Sequence, residues 1–262
     1  MSTSPPDTPW DRLRRLTPAR IALGRSGASL PTAEVLRFGL AHAEARDAVH
    51  LPLDVAALEA ALPATGAAPL VVHSRAGDRC SYLLRPDLGR RLDDASAALV
   101  DRAAAGKPGG WDLALVVADG LSALAVQRHA PALLDALLPR LPAGSRVAPV
   151  VIALHGRVAL GDEIGERLGA RMLAMLIGER PGLSSPDSLG VYLTWAPQIG
   201  RSDAQRNCVS NILPEGLDYA AAAAKIAWLI AEAGRLRLTG IGLKDRSDLI
   251  GGGDEAALPA AD

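Results

Sequence analysis

Four short apolar runs set the rhythm of the second half of the chain: LALVVA (113–118), RVAPVVIAL (146–154), RMLAMLI (171–177) and GVYLTWA (190–196). Continuous runs of this length, without polar alternation, predict strands buried on both faces. A long amphipathic pattern to about Leu138 follows the first run, and a shorter helical pattern spans 162–168. A closing helix is predicted over 218–235. Runs alternating with helices predict an α/β fold, a Rossmann-like, mostly parallel sheet with flanking helices.

The first half reads differently. Thr32 is a candidate N-cap for a helix to about Val49, with Val35, Leu36, Leu40 and Ala43 at helical spacing. LVVHS (70–74) and SYLLR (81–85) read as strands around the turn residues Gly77 and Asp78, and a further helix is predicted to end at Gly106. Lys107-Pro108-Gly109-Gly110 is the strongest boundary signal. The expected organisation is a smaller, mainly helical N-terminal arm and docking region (1–110), a Rossmann-like domain (111–248) and a mobile tail (249–262).

In open α/β sheets, ligands gather beyond the carboxyl ends of the strands, where backbone N–H groups and helix N-termini converge. Loops 119–122, 155–158, 178–182 and 197–208 are therefore expected along one sheet edge. Glu179, directly after an apolar run, could accept a hydrogen bond from a ligand or pair with adjacent Arg180; geometry alone weights these equally. Ser122 in GLSAL lacks the final glycine of a nucleophile elbow and reads as a helix cap. Neither a Walker A nor a strand-following GxGxxG motif is present. His155 reads as a loop anchor and Cys208 as a small buried side chain at a contact, since no partner motif accompanies either. No catalytic set and no metal-ligand set emerges.

Composition narrows the choice. Among 262 residues, Lys+Arg 28 against Asp+Glu 29 leaves a net charge of −1, which removes the electrostatic case for nucleic acid or anionic membrane. Hydrophobic residues make up 49% and charged ones 22%, enough for a core, but only 3% are aromatic. The two cysteines, Cys80 and Cys208, show no zinc or disulfide pattern. No run approaches membrane-spanning length and no secretory pattern opens the chain, so a soluble cytoplasmic protein is expected. Arginines concentrate in the arm (Arg12, Arg14, Arg15, Arg20, Arg25) and in LRPDLGRRLD (84–93), either as a docking surface or as solvated local ion pairs.

Several stretches resemble the small (light) subunit family of ethanolamine ammonia-lyase: TPARIALGRSG (17–27), YLLRPDLGRRLD (82–93), VVADGLSA (116–123), HGRVALGDEIGE (155–166), LIGERPGLSSPDSLGVYLT (176–194), DAQRNCVSNI (203–212) and TGIGLKD (239–245). They occur in order along nearly the whole chain, and GERPGL followed by RNCVSNI is highly specific. The resemblance implies a subunit of the adenosylcobalamin-dependent lyase that converts ethanolamine to acetaldehyde and ammonia. It implies that the radical chemistry resides in a large subunit, and that several large–small pairs form a hetero-oligomer. It further implies a Rossmann-like domain that covers the cobalamin at the subunit interface, touching it through Val158, Glu179 and Cys208. The absence of DxHxxG implies that His155 does not ligate cobalt. Some members of the family carry a longer N-terminal extension for microcompartment packaging. Here the resemblance begins near Trp10, so encapsulation is doubtful. The competing readings are a stand-alone Rossmann-like hydrolase or transferase acting through Ser122, and a purely structural assembly subunit.

Overall fold

The apolar runs become strands covered on both sides, which is why they show no polar alternation. A computed structural model describes residues 9–17, 19–106 and 109–247. Lys107, Pro108 and the tail 249–262 lie outside the described residues. The chain runs through α1 (Pro9–Arg14), α2 (Thr32–His50), α3 (Val55–Ala61), β1 (Leu70–His73), α4 (Arg79–Leu84), α5 (Asp94–Ala105), β2 (Trp111–Ala118) and α6 (Ala123–Leu137). It continues through β3 (Val151–Leu154), α7 (Leu160–Leu168), β4 (Ala170–Gly178), β5 (Leu189–Trp195), β6 (Arg206–Ile212) and α8 (Tyr219–Leu236).

One six-stranded sheet, ordered β1-β3-β2-β4-β5-β6, organises these elements. The α/β class and the flanking helices are as expected, but the sheet is mixed rather than mostly parallel. The pairs β1–β3, β2–β3 and β2–β4 are parallel, whereas β4–β5 and β5–β6 are antiparallel. The physical reason lies in the connections. Residues 179–188 contain no helix, and a parallel return needs a crossover long enough to traverse the sheet face. The chain folds back as a hairpin instead. The carboxyl ends of β1, β2, β3, β4 and β6 therefore share one edge, and β5 alone runs the other way. The loop after β5 leaves from the opposite edge, and Cys208 sits within β6, not in a loop.

The first half departs from expectation in two further places. SYLLR is not a strand, because most of it lies in α4. Asp78 caps that helix, accepting from the Ser81 N–H at 2.8 Å, and this local hydrogen bond outweighs the β preference of the following residues. Thr32 is the first helical residue of α2 rather than its cap; Pro31 holds the N-cap position without a side-chain hydrogen bond. β1 and α5 join the sheet and its cover, so the segment before residue 110 supplies part of this layer.

Two apolar layers sandwich the sheet. On one face α6 and α8 pack on Leu115, Val117, Leu176, Val191 and Val209. On the other, α5 and α7 cover Val116, Ala153, Leu173 and Met175, but their cover reaches little of β5 and β6. Consecutive acids in the first turn of α7 fasten that helix on two sides. Asp162 makes a bidentate pair with Arg206 of β6 at 2.6 Å to each oxygen, and both side chains are at most 2% exposed. Arg206 also donates to Thr194 Oγ1 and the Arg201 carbonyl. Glu163 accepts from Arg91 Nε at 2.8 Å, from the Leu92 N–H at 3.0 Å and from Arg167 Nε at 3.2 Å. Their position near the helix N-terminus adds a favourable dipole interaction.

Burial alone would raise the Glu163 pKa, but the Arg91 and Leu92 donors outweigh it and hold the carboxyl below its ordinary 4.5. Stability from this group is therefore present above about pH 4.5 and lost as pH falls through the lower folded-state value. Glu163→Gln is expected to cost about 1.5–3 kcal/mol at neutral pH. In urea unfolding as a function of pH, the gap to wild type should close below pH 4.5. A gap independent of pH would contradict the ionic role.

Candidate ligand-binding cleft

The carboxyl ends of the parallel strands are tied together by a buried acid. Asp119 follows β2, is 3% exposed, and accepts from the His155 N–H at 3.0 Å and the Gly156 N–H at 3.1 Å. Burial pushes its carboxyl pKa upward against these donors and the Arg79 guanidinium 3.6 Å away. His155 is held with φ 55° and its Nδ1 lies 3.1 Å from the Ala76 carbonyl, so it anchors the loop as expected. Ser122 caps α6: its Oγ accepts from the Ala125 N–H and donates to the Pro186 carbonyl at 3.1 Å. That hydroxyl is buried and fully engaged, unlike an accessible nucleophile.

Close backbone packing shapes the next strand end. The Leu121 N–H donates to the Gly178 carbonyl at 2.9 Å, and a Cβ on Gly178 would lie 2.0 Å from the Ser122 carbonyl oxygen. Only glycine fits there.

A cleft opens beside these strand ends, between the loop entering α7 and the uncovered face of β5–β6. It has two lobes of about 450 and 420 Å³, which share Arg157, Val158 and Tyr192. The first is walled by Tyr82, Leu121, Ile177 and Glu179. The second is lined by Arg90, Arg201 and Arg206, and by Ala159 at the start of α7.

Tyr82 forms the base of the first lobe. It is fully buried, its hydroxyl donates to the Gly156 carbonyl at 3.2 Å, and burial pushes its pKa up to about 12. The guanidiniums of Arg79 and Arg157 lie 4.9 and 4.2 Å from its ring centre, a cation–π arrangement.

The structure brings Val158 and Glu179 into one cleft, both half-buried. Glu179 does not pair with Arg180 within 4 Å among the described residues. Its Oε2 accepts from the Asn211 N–H at 3.2 Å, and Oε1 lies against Gly190. The carboxylate thus crosses β5 to reach β6, a path open because Gly190 has no side chain. Oε1 has no donor among the described residues, which leaves a free acceptor on a residue of the cleft wall.

Cys208 pairs with Tyr192 across the β5–β6 ladder, which places both on the same face. It lies beside the cleft rather than in its wall. It is exposed, not the buried contact expected from its residue type. Partial desolvation raises its thiol pKa, and the nearby Glu179 carboxylate adds to the shift. Burial likewise pushes Tyr192 up to about 12.

Sequence reasoning missed Tyr82, Arg157 and Tyr192. Arg157 adjoins Val158 and Tyr192 belongs to a recognised run, so both were within reach. Tyr82 was hidden by the strand reading of its segment. The arginine-rich stretch 84–93 divides between the two readings given it. Arg85 pairs locally with Asp87, Arg91 makes the long-range pair with Glu163, and Arg90 stays exposed on the cleft wall.

Residues 7–244 match the family profile described as ethanolamine ammonia-lyase light chain (EutC). The chain is 60% identical over 242 residues to a protein of Ralstonia nicotianae, covering 92% of this chain and 90% of that one. It is 61% identical over 244 residues to one of Azotobacter vinelandii, covering 93% and 90%. It is 57% identical over 262 residues to one of Xanthomonas campestris pv. campestris, covering 99% and 96%. Each of these relatives carries the name ethanolamine ammonia-lyase small subunit.

A Cβ on Gly190 would lie 2.8 Å from Glu179 Oε1. Gly190→Ala should therefore displace the carboxylate from Asn211, at a cost of about 1 kcal/mol. In the Glu179→Ala background the same change should cost markedly less, measured as urea midpoints in a double-mutant cycle. Additive effects would contradict the contact.

Proposed function

The chain belongs to the ethanolamine ammonia-lyase light-chain (small-subunit) family, and on that premise we propose that its cleft covers one side of a cobalamin cofactor seated against the large subunit. The observation that carries this reading is the convergence on one surface of Val158, Glu179 and, beside them, Cys208. The cleft fits such a group in shape and chemistry. It is open rather than enclosing, apolar at Val158, Leu121 and Ile177, and carries one free acceptor at Glu179 Oε1.

In this reading Glu179 accepts a hydrogen bond from an amide or hydroxyl at the cofactor's periphery. Val158 and Cys208 give close apolar contact, and Tyr192 supplies the floor between them. When bound, adenosylcobalamin supplies the radical chemistry of the deamination of ethanolamine to acetaldehyde and ammonia, which the large subunit hosts. The residues of this chain hold, orient and shield. A stand-alone hydrolase is disfavoured because the Ser122 hydroxyl is committed to capping α6. A purely structural role is disfavoured because Glu179 leaves one oxygen unpaired instead of closing on Arg180.

The partner would also cover α2. Val35, Leu36, Phe38 and Leu40 are each 48–68% exposed, and only Ala41 and Ala48 of this helix are buried. An apolar helix with so little packing of its own is suited to an interface. Among the described residues no helix is long and apolar enough to cross a membrane.

Removing the Glu179 acceptor tests the assignment. In the complex with the large subunit, Glu179→Ala should weaken cobalamin binding about tenfold, the worth of one hydrogen bond. The thermal midpoint should fall by no more than a few degrees. Equilibrium dialysis with absorbance detection reads the first and calorimetry the second. Unchanged cobalamin affinity would overturn the role given to Glu179.

A further inference from the structure

The second lobe of the cleft has a chemistry of its own. Arg90, Arg157 and Arg201 line it, and none forms an ion pair within 4 Å among the described residues. Elsewhere in the fold, arginines near carboxylates close on them: Arg91 on Glu163, Arg146 on Asp112, Arg167 on Asp101 and Arg206 on Asp162. Asp203, the carboxylate on the lobe's wall, has a side chain 97% exposed and lies near Arg206. The lobe is thus net cationic, with three arginines that close on no carboxylate.

Arg157 is preset for recognition. Nη2 donates to the Tyr82 carbonyl at 3.0 Å and the guanidinium stacks on the Tyr82 ring, while Nη1 has no acceptor among the described residues. A guanidinium fixed at one end and free at the other presents its remaining donor without further loss of rotamer freedom. Arg201 is steadied in the same way, through two hydrogen bonds to the Ala196 carbonyl. In the lobe's lining, the position before α7 is held by Ala159, which offers no side-chain cap. The backbone N–H groups of Val158 and Ala159 have no acceptor among the described residues. Guanidinium donors without ion pairs and backbone donors without acceptors, on residues lining one lobe at a helix start, suit a tetrahedral oxyanion.

We infer that this lobe binds a phosphate group, and specifically the phosphodiester that links the corrin ring of cobalamin to its nucleotide base. The inference rests on the cofactor reading given above and deepens it. The lobe shares Val158 and Tyr192 with the lobe holding Glu179, so one ligand reaches both. Arg157 and Arg90 recognise its anionic link, and Glu179 its neutral edge.

The test compares cyanocobalamin with dicyanocobinamide, a corrinoid lacking the phosphate, ribose and base, on the assembled complex. Affinity is read by equilibrium dialysis. Arg90→Ala and Arg157→Ala should each weaken cyanocobalamin about tenfold and leave dicyanocobinamide within twofold of wild type. Arg157→Lys should recover part of the loss. Inorganic phosphate should compete with cyanocobalamin in the wild type and less so in the variants.

Equal weakening of both corrinoids would overturn the inference, because Arg157 would then act on the ring or on the fold of the cleft. If neither arginine variant moves either affinity while Glu179→Ala weakens both, the phosphate role fails and the cofactor reading stands. If Glu179→Ala is silent as well, the cofactor reading itself fails. If phosphate binds the dicyanocobinamide complex through these arginines while cyanocobalamin affinity is unchanged, the lobe serves free phosphate and the specific assignment is overturned.

Discussion

The buried pair between Asp162 and Arg206 sets the geometry on which the rest of the cleft depends. One wall descends from the loop entering α7, and the other is the bare face of the β5–β6 hairpin. Apart from the sheet itself, little else joins them, because α5 and α7 stop short of those strands. Two hydrogen bonds of 2.6 Å, with a further bond from Arg206 to Thr194, lock the first turn of α7 against β6. Losing one partner would leave the other charge buried and uncompensated, a penalty of about 3–5 kcal/mol. Glu163, the next residue, fastens the other side of the helix to Arg91 and Leu92. Two consecutive acids thereby convert a short helix into a rigid strut.

In the proposed reading, what the strut holds is half a site. Asp119 joins the ends of β2 and β3, Glu179 crosses β5 to reach β6, and the surface between them is open. A concave apolar floor with one unpaired acceptor and three unpaired arginines is incomplete by itself. In that reading these groups gain partners when the cofactor and the large subunit are laid on them. The exposed apolar positions of α2 carry the same message for the surrounding surface. The proposed covering role calls for this character: rigid walls and preset donors and acceptors.

Much of the fold was legible in the chain. Runs buried on both faces identify β2, β3, β4 and β5, and Ser122 announces its helix by cap chemistry. The direction of β5 was less visible, because an apolar run carries no arrow. The clue was the absence of a helix between 178 and 189, since no parallel crossover fits there. The strand holding Cys208 is hidden in the sequence because RNCVSNI shows neither clean alternation nor the continuous apolar signature of the inner strands. α4 is hidden because Tyr82 beside two leucines resembles a short apolar run, whereas the deciding hydrogen bond comes from Asp78, three residues before SYLLR. For the site, Glu179 stood out by position alone, and Val158 and Cys208 entered through resemblance. Arg157 and Tyr82 emerge only when distant segments are folded together.

The most direct measurement is the corrinoid absorbance retained after gel filtration, compared for this chain alone, the large subunit alone and the two together. The expected result is near-stoichiometric retention by the pair and markedly weaker retention by either chain alone, since each would present only part of the site. Retention by the isolated large subunit equal to that of the pair would contradict the claim that this chain covers the cofactor.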